Sequence, residues 1–220
     1  MVSQLSLFPD SGIAVKRISY EETMPFILGV HYARRMPCVQ YAFGLFLDGD
    51  LIGCVTYGQP ASPWLCKGIA GGGNAHSVIE LNRLVIYPKY SGHNYASILV
   101  SKSLAMLPRR TFVVSYADTG WGHVGYVYQA TNWIYTGLTK DRTDKYSASG
   151  HARHYAPGET RRQYRSAKHR YVYLVGTKAD KKAMIKELRH ATMSYPKGTS
   201  VHYDTDDPKQ PTQGEREVKP

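Results

Sequence analysis

The sequence predicts an α/β domain, and three observations carry that prediction. Segments with strand character alternate with segments at helical spacing, in the order β-α-β-α-β, over residues 78–138. Two apolar runs joined by an Asp-Gly-Asp turn precede this stretch and indicate a β-hairpin. The chain has 220 residues, 42% of them hydrophobic, which suits one domain with a buried core.

In chain order, the predicted elements are a strand at 14–20, a helix at 20–36, hairpin strands at 41–47 and 51–58, a strand at 78–88, a helix at 93–107, a strand at 111–118, a short helix at 123–133, a strand at 134–138, a strand at 169–176 and a helix at 178–191.

The first half of the chain combines one helix with the hairpin. Apolar residues at helical spacing predict the helix at 20–36, with Thr23 as its start. The hairpin turn is Asp48-Gly49, because Gly tolerates the positive φ that a tight turn requires. Residues 58–77 are rich in Gly and Pro and predict a flexible connector.

The second half contains apolar strands separated by helices. Pro88 ends the strand at 78–88, and Pro108 ends the helix at 93–107. The segment 111–118 (TFVVSYAD) is apolar and β-branched, as buried strands are. Strands that alternate with helices in this way form a sheet flanked by helices.

The chain is predicted to divide into a leader, one domain and a tail. Residues 1–14 read as a flexible leader, and 15–195 as the domain. Within that domain, 139–170 is a basic insertion interleaved with tyrosines. Residues 196–220 are polar and contain prolines, which predicts a disordered tail.

Composition argues against several classes of protein. No apolar run approaches the ~18 residues that a membrane span needs, and the N-terminus lacks the pattern of a secretory signal. The three cysteines show no CxxC spacing, so neither a disulfide framework nor a cysteine zinc site is expected. With 28 Lys and Arg against 17 Asp and Glu, the net charge of +11 predicts an anionic partner, such as nucleic acid, a phosphorylated cofactor or a lipid headgroup.

The junction between the strand at 78–88 and the helix at 93–107 is a candidate phosphate site. A strand-turn-helix presents backbone N–H groups and the positive end of the helix dipole. Gly92 lets the backbone approach a ligand, and Lys89 adds charge. An ordinary β-α connection has the same pattern and stays open as the alternative.

Several longer motifs resemble known families. PKYSGHNYASIL (88–99) is similar to the GNAT acyltransferase cofactor loop, P-x-x-R-G-x-G-x-G/A-x-x-L, with Ser91 and Asn94 at two of its usual positions. YQATNW (128–133) resembles the Tyr-x-x-x-Gly-aromatic segment of that superfamily, with Asn132 in place of Gly. Together, HYARR (31–35), ELNRLVI (80–86) and SYADTGWGHVGYVYQATNWIYTG (115–137) resemble the Mom family of DNA-modification proteins of Mu-like bacteriophages, over roughly residues 15–180.

The resemblance implies a GNAT-like single domain with a central mixed, mostly antiparallel sheet and a strand-turn-helix cofactor loop. It implies a transferase that adds a carbamoylmethyl (acetamido) group to the exocyclic amine of adenine in phage DNA. That modification defeats restriction enzymes in the cytoplasm of the infected bacterium. Acetyl-CoA or a related acyl donor and an iron ion are the implied cofactors. Ordinary acetyl transfer would give N-acetyl adenine, so the product requires a redox metal, another donor or a further factor.

Residues 89–94 are assigned to the implied cofactor by their place in the loop, and Ser103 as a hydroxyl near the site. The cofactor-binding residues are predicted to be Lys89, Tyr90, Ser91, Gly92, His93, Asn94 and Ser103. The resemblance makes Tyr128 the general acid toward the departing thiolate, or a residue that stacks on a flipped base.

Asp118 is the strongest catalytic candidate by its position. It ends an apolar strand just before two glycines, and a carboxylate at the carboxyl edge of an α/β sheet is well placed for catalysis. A helix N-cap is the alternative. Together with His31, Asp118 could hold a metal such as iron, given a third ligand. The competing histidine ligands are His76, His93 and His123.

Arg83, Tyr32 and His31 complete the predicted catalytic set. Arg83 lies among apolar strand residues, and Arg is seldom buried without a partner, so it is expected to hold a phosphate or to pair with Glu80 or Asp118. Tyr32 and His31 are expected to line the same pocket as Asp118.

The insertion 139–170 is the candidate surface for double-stranded DNA, because Lys and Arg there would neutralise phosphates. A solvated loop is the alternative. The predicted DNA-binding residues are Arg153, Arg161, Arg162, Arg165 and Lys168. Since the exocyclic amine of adenine takes part in base pairing, the enzyme is expected to flip the base or to catch it unstacked.

Two other functions stay open at this point. A conventional acetyltransferase would acetylate a small amine or a protein lysine without DNA. A non-catalytic basic module would bind DNA and leave adenine unchanged. The hairpin at Asp48-Gly49 is compatible with a homodimer, and nothing in the sequence argues for one.

Overall fold

The computed structural model describes residues 12–145 and 162–198. In chain order, the elements are β1 (Ile13–Arg17), α1 (Tyr20–Met24), β2 (Tyr41–Leu47), β3 (Asp50–Gly58), α2 (Pro63–Asn74), β4 (Val78–Ile86), α3 (Tyr95–Ala105), β5 (Thr111–Asp118), α4 (Tyr126–Ala130), β6 (Ile134–Leu138), β7 (Arg142–Lys145), β8 (Arg162–Arg165), β9 (Lys168–Val175) and α5 (Lys178–Glu187). None of the described helices is long and apolar enough to cross a membrane.

Seven strands form one mixed sheet in the order β1-β2-β3-β4-β5-β9-β6, and β7 pairs with β8 in a separate ribbon. Strands β1 to β4 are antiparallel neighbours, as are β6 and β9. Strand β4 runs parallel to β5 over only three residue pairs, Val78–Glu80 with Phe112–Val114. The structure therefore confirms the predicted α/β class and its mostly antiparallel sheet.

The chain forms two compact units. Among the described residues, unit 1 comprises 12–114 and Leu174–Arg189, and unit 2 comprises 115–145, 162–173 and 190–198. Strands β5 and β9 contribute residues to both units. Among the predicted site residues, His31, Tyr32, Arg83 and the 88–94 turn belong to unit 1, whereas Asp118 and Tyr128 belong to unit 2.

The β2–β3 hairpin of unit 1 forms as predicted. Asp48 and Gly49 have φ values of 49° and 95°, the pair of positive φ angles that a tight two-residue hairpin turn needs. Alternation along the strands points Phe43, Leu45 and Val55 inward, and all three are fully buried.

The first helix begins at Tyr20, the first residue of the predicted range, but ends well before residue 36. Helix α1 begins after Ser19, not at Thr23, because Ser19 and Glu22 form a reciprocal capping box. A π-helical turn over Pro25–Val30 follows, and the backbone is extended at His31 (ψ 134°). The predicted helix to residue 36 is therefore wrong, and His31 follows the helix instead of lying on it.

The connector predicted at 58–77 is also wrong, since it contains helix α2. Ser62 caps this helix by accepting a hydrogen bond from the Trp64 N–H over 3.3 Å, and Pro63 occupies its first turn. Ile69 is buried, which anchors the helix to unit 1. Gly71, at φ 76°, kinks it. The Gly and Pro residues thus mark a start and a kink within a helix.

Later elements follow their predictions closely. Strands β5 and β6 have the predicted bounds, and β9 differs by one residue at each end. Helix α4 covers only part of the predicted 123–133, because Gly125, in the left-handed region at φ 82°, stands immediately before it.

The predicted ends of the domain need correction. Strand β1 begins at Ile13, inside the predicted leader. Residues 196–198, assigned to the disordered tail, are tied to unit 2, where the Pro196 carbonyl accepts from the Gln129 amide over 3.3 Å and the Gly198 carbonyl accepts from the Tyr126 hydroxyl. The rest of the leader and tail lies outside the described residues.

Candidate functional site

Asp118 stands at the carboxyl end of β5, where its carboxylate accepts three hydrogen bonds. Oδ1 accepts from the Gly120 N–H over 3.0 Å and from the Ser166 hydroxyl. Oδ2 accepts from the Lys168 ammonium, which makes an ion pair with it. The side chain is only 4% exposed, and a buried carboxylate needs such partners. Asp118 also caps the short 3₁₀ turn Thr119–Trp121, so the N-cap alternative is confirmed.

Two of these partners lie far from Asp118 in the sequence. Ser166 and Lys168 lie 48 and 50 residues beyond Asp118 and flank the connection from β8 to β9. The Thr119 hydroxyl fastens that connection by donating to the Ala167 carbonyl over 2.6 Å. Sequence reasoning missed Ser166, because nothing local marks it. It placed Lys168 on DNA phosphates, whereas the structure pairs Lys168 with Asp118.

Gly120 explains why the chain can pass so close to Ser166. A Cβ at this position would lie 2.7 Å from the Ser166 hydroxyl oxygen and 3.2 Å from Asp118 Oδ1. The first separation is shorter than real Cβ contacts, and the second is tighter than most of them. The missing side chain at Gly120 therefore lets this segment approach Ser166 while the Gly120 N–H donates to the Asp118 carboxylate.

The charge state of Asp118 follows from two opposing effects. Burial alone raises the pKa of the carboxyl, but the hydrogen bonds from Lys168 and Ser166, the Lys168 charge and the Gly120 N–H together hold the pKa below its ordinary value. Asp118 is consequently ionised at neutral pH. A carboxylate with a lowered pKa is a weak proton acceptor, so the site favours Asp118 as a fixed negative charge.

His123 lies beside this ion pair. Its backbone N–H donates to the Asp118 carbonyl over 3.1 Å. Burial lowers the pKa of the imidazole, and the Lys168 charge lowers it further, against the opposing effect of Asp118. The ring is therefore neutral at pH 7. A neutral imidazole can accept a proton, which makes His123 the better base of the two.

Tyr128 projects from α4 into the interior of unit 2, where its ring is 8% exposed. The Ser115 hydroxyl on β5 donates to the Tyr128 phenol oxygen over 2.8 Å. The ring packs against Trp133 and Tyr171, with centroids 5.0 and 5.2 Å away. A hydroxyl that donates to a phenol oxygen stabilises the phenolate left after proton donation.

The rings of Tyr128, Trp133 and Tyr171 form an aromatic cluster, and Tyr171 connects that cluster to the loop before α4. Its hydroxyl donates to the Val124 carbonyl over 2.5 Å and accepts from the Gln129 amide over 3.1 Å. Burial raises the pKa of Tyr171 to about 12, so the phenol stays protonated and keeps its donor. These bonds hold α4, and with it Tyr128, in one orientation.

Arg83 of β4 hydrogen-bonds to backbone carbonyls within unit 1. Its Nε and Nη2 donate to the Arg35 carbonyl over 3.3 and 3.0 Å, and its Nη1 donates to the Asn82 carbonyl over 2.6 Å. Burial lowers the pKa of the guanidinium. Three donors thus bind backbone carbonyls and fix the segment after the π-helical turn.

His31 and Tyr32 form a stacked pair, with ring centroids 4.3 Å apart. The His31 Nδ1 accepts from the Ala33 N–H over 3.0 Å, which occupies one of the two nitrogens that could bind a metal. Across residues 12–145 and 162–198, no group of three His, Cys, Asp or Glu side chains could hold a metal ion. The iron site predicted from His31 and Asp118 is therefore not supported by the residues present.

The turn between β4 and α3 has features that suit phosphate. Asn94 is the N-cap of α3 and makes no side-chain hydrogen bond to the helix. Gly92 has φ 85°, and a Cβ there would meet no atom within 4 Å. The Lys89 ammonium lies 4.7 Å from the Tyr90 ring centroid. An open turn, a helix N-terminus without a side-chain cap and a nearby cation fit an anionic group.

Ser103 does not belong with that turn. It is fully buried on α3, where its hydroxyl hydrogen-bonds with the Tyr57 hydroxyl over 2.6 Å and donates to the Val100 carbonyl over 3.0 Å. The prediction that Ser103 binds the cofactor is corrected, because its polar atom joins two core elements of unit 1.

The predicted DNA-binding residues divide into three groups. Arg153 and Arg161 lie outside the described residues. Arg162 and Arg165 bound strand β8, whose partner is β7. Lys168 follows the ribbon and is 36% exposed while paired with Asp118.

Comparison with known proteins identifies the family. The model of the Mom protein family matches residues 12–197, which include the Asp118 and Tyr128 segments of unit 2 and the turn of unit 1. The chain belongs to the Mom protein family. It is 27% identical over 138 residues to the methylcarbamoylase Mom of Escherichia phage Mu. That match covers 61% of this chain and 57% of the phage Mu protein.

Two of the solved structures similar to this Mom family member are acetyltransferases. One is a GNAT family acetyltransferase from Elizabethkingia anophelis with acetyl-CoA bound, at 9% identity and a TM-score of 0.46, covering 75% of this chain and 99% of that one. Another is an N-acetyltransferase from Staphylococcus aureus Mu50, at 13% identity and a TM-score of 0.47, with the same coverage.

The departure of this Mom family member from the GNAT-like segment at 128–133 has a conformational explanation. Asn132 occupies the place of Gly in the Tyr-x-x-x-Gly-aromatic segment, and its φ is 59°, in the left-handed region. Asn tolerates that region better than other non-Gly residues do. The substitution therefore preserves the turn that leads from Tyr128 to Trp133.

Proposed function

We propose that this protein joins a carbamoylmethyl group to the exocyclic amine of adenine in double-stranded DNA. The modification would protect phage DNA from restriction enzymes in the cytoplasm of the bacterial host. The family match over residues 12–197 carries this proposal, and the name of the phage Mu relative, a methylcarbamoylase, supports it. The net charge of +11 is consistent with a polyanionic substrate.

The reaction replaces one N–H bond of the adenine amine by a bond from nitrogen to a methylene carbon. One proton must therefore leave the amine, and the donor must lose a leaving group from that methylene. Acetyl transfer would instead join nitrogen to the carbonyl carbon. With acetyl-CoA as the source, the balance also requires an ammonia equivalent and a two-electron oxidant, whereas an acetamide with a leaving group on its methylene requires neither.

The turn from Lys89 to Asn94 is proposed to hold the phosphates of an acyl-CoA or related donor. The N-terminus of α3 supplies backbone N–H groups, the open space at Gly92 admits the ligand, and Lys89 adds a positive charge. A donor whose methylene has a leaving group would, when bound, supply the carbamoylmethyl group and release that leaving group. Ser91 takes the place of the Arg or Gln usual in similar loops, so the backbone has the larger share of this binding.

Within unit 2, the proposed roles follow from charge state. Asp118, held ionised by Lys168 and Ser166, accepts a hydrogen bond from the adenine amine and orients it. His123, neutral at pH 7, takes the proton that leaves the amine. Tyr128 donates a proton to the leaving group, with Ser115 stabilising the resulting phenolate. Because the amine takes part in base pairing, the adenine is flipped out of the helix.

One experiment tests the function directly. The protein is expressed in bacteria, the plasmid DNA is digested, and the nucleoside masses are measured. A carbamoylmethyl adenine is expected, heavier by one NH group than an acetyl adenine. An acetyl adenine would establish a conventional acetyltransferase, and unmodified adenine from a folded protein that binds DNA would establish a non-catalytic module. Asp118→Asn and Tyr128→Phe are expected to lose the modification while they keep the fold.

A further inference from the structure

The guanidinium of Arg170, on β9, is held by one residue of the neighbouring strand β6. Its Nε donates to the Thr136 hydroxyl and its Nη2 donates to the Thr136 carbonyl, both over 2.9 Å. The Thr136 hydroxyl in turn donates to the Arg170 carbonyl over 3.2 Å. The pairing of β6 with β9 is irregular here, since two residues of β6 between Tyr135 and Leu138 lie opposite Arg170 alone. Bulges of this kind re-aim side chains, and this one fixes the Nε–Nη2 edge of the guanidinium.

The other edge of the same guanidinium has no acceptor among residues 12–145 and 162–198. A guanidinium has five N–H donors, and the bonds to Thr136 use two of them, so three donors remain on Nη1 and Nη2. Thr136 is a neutral partner, and no carboxylate in the described part of the chain makes an ion pair with Arg170. The Nη1–Nη2 edge is a fork that matches two oxygens of one phosphate.

The charge of Arg170 is not neutralised by the groups around it. The side chain is half-buried, and burial lowers the pKa of the guanidinium against the opposing effects of Tyr116 and Tyr135. Burial also lowers the pKa of His190, and the Arg170 charge lowers it further, so this ring is neutral at pH 7. Burying a charge without a counterion costs free energy, and a bound anion removes that cost.

We propose that the Nη1–Nη2 edge of Arg170 binds a backbone phosphate of the DNA substrate, next to the adenine that is modified. This inference rests on the proposed function for the identity of the ligand. Side chains two residues apart lie on the same face of a strand, about 7 Å apart, so Arg170 shares the face of β9 from which Lys168 reaches Asp118. Lys168 is neutralised by that ion pair, which leaves Arg170 as the cation for the phosphate. Because a nucleotide flips about its own backbone, a phosphate fixed here positions the base beside the Asp118 carboxylate.

The first test measures binding of the full-length protein to a fluorescently labelled DNA duplex at several salt concentrations. Arg170→Gln is expected to bind about tenfold more weakly or worse, and the salt slope should shrink by about 0.9, the share of one phosphate contact. Arg170→Lys keeps the charge without the fork, so it should regain the slope but bind less tightly than the wild type. Lys182→Gln, at an exposed position of α5, is the control for one lost charge. Equal losses in Arg170→Gln and Lys182→Gln, or no loss in Arg170→Gln, would overturn the proposal.

A second measurement uses the wild-type protein and keeps the test decisive if Arg170→Gln does not fold. The duplex contains one adenine opposite an abasic site, because an unpaired base flips at the least cost. Phosphates of the adenine strand are replaced one at a time by neutral methylphosphonates. One position beside the adenine should weaken binding about tenfold, and a scan in which no such position stands out would contradict the proposal. In folded Arg170→Gln that position should have little further effect, whereas a full further loss would assign the phosphate to another residue.

A third measurement separates DNA from the other source of phosphate, the donor. Coenzyme A binding, followed by calorimetry, should be the same in the wild type and Arg170→Gln. Weaker coenzyme A binding together with normal DNA binding would assign Arg170 to the donor and overturn the proposal.

The two proposals fail in distinguishable ways. If the wild-type protein modifies adenine but the methylphosphonate scan is flat, the inference about Arg170 fails and the function stands. If the binding measurements come out as expected while adenine remains unmodified, the phosphate contact stands and the enzymatic function fails.

Discussion

The hydroxyl of Ser115 donates a hydrogen bond to the phenol oxygen of Tyr128 over 2.8 Å inside unit 2. Both side chains are almost fully buried, and they come from β5 and α4. A buried tyrosine of this kind is commonly a core residue. What sets Tyr128 apart is the donor aimed at its oxygen, which stabilises a negative charge there.

Replacing Tyr128 by Phe should separate chemistry from folding. Tyr128→Phe removes the proposed acid and is expected to lower the modification rate by about 10²-fold or more, while the fold loses about 1 kcal/mol for one buried hydrogen bond. Ser115→Ala keeps the phenol but removes the donor to its oxygen, so it should lower the rate as well, by less than Tyr128→Phe does. Rates come from nucleoside masses over time, and stability from urea unfolding. Full activity in Tyr128→Phe would remove this residue from the mechanism.

Lys168→Met removes the ammonium that opposes the effect of burial on the pKa of Asp118. Without the ammonium, burial dominates and the pKa of Asp118 rises, so the carboxylate is protonated at higher pH. In the wild type, the lowered pKa of Asp118 contributes stability that is present above the unfolded value and lost as the pH falls through the folded value.

Acid unfolding followed by circular dichroism measures this change. The Lys168→Met midpoint should move to higher pH, and stability at neutral pH should fall by about 1–2 kcal/mol, since Lys168 is partly exposed. Lys182→Met on α5 is the control for lost charge. Identical acid midpoints in the wild type and Lys168→Met would show that this ion pair does not set the charge of Asp118.

His123 should govern the acid side of the activity profile. Burial and Lys168 lower the pKa of its imidazole while Asp118 raises it, so the ring becomes protonated only below its ordinary range. Modification should therefore lose rate as the pH falls below about 6.5. His123→Gln should be slow at all pH values and lack that limb. An unchanged acid limb in His123→Gln would assign the titration to another group.

Gly at position 132 should leave the protein as stable as the wild type, whereas Val at the same position should destabilise it. Asn132→Gly keeps the left-handed φ of 59° and should leave both stability and activity close to the wild type. Asn132→Val places a β-branched residue in that region and should cost about 1–2 kcal/mol. Thermal unfolding of the two variants compares them directly. Equal stability would mean that the backbone shifts out of this conformation.

Much of the fold could be predicted because its signals are local. The Asp48-Gly49 turn, the bounds of β5 and β6 and the strand-turn-helix at Pro88 follow from short-range rules on φ angles and periodicity. The prediction failed at 58–77, because Gly and Pro are common in loops but also occur at the start and at the kinks of helices. Ser62 and Pro63 start α2, and Gly71 kinks it, although the same composition is typical of a loop.

By itself, the sequence determined the α/β class from the alternation of strands and helices, and the family from contiguous motifs, and it singled out Asp118 and Tyr128 as candidates. Only the tertiary structure decided what surrounds them. Ser166 and Lys168 reach Asp118 across 48 and 50 residues, and no periodicity encodes that approach. The charge of a buried carboxylate depends on which donors fold against it. The fixed negative charge of Asp118 is therefore a property of the folded chain.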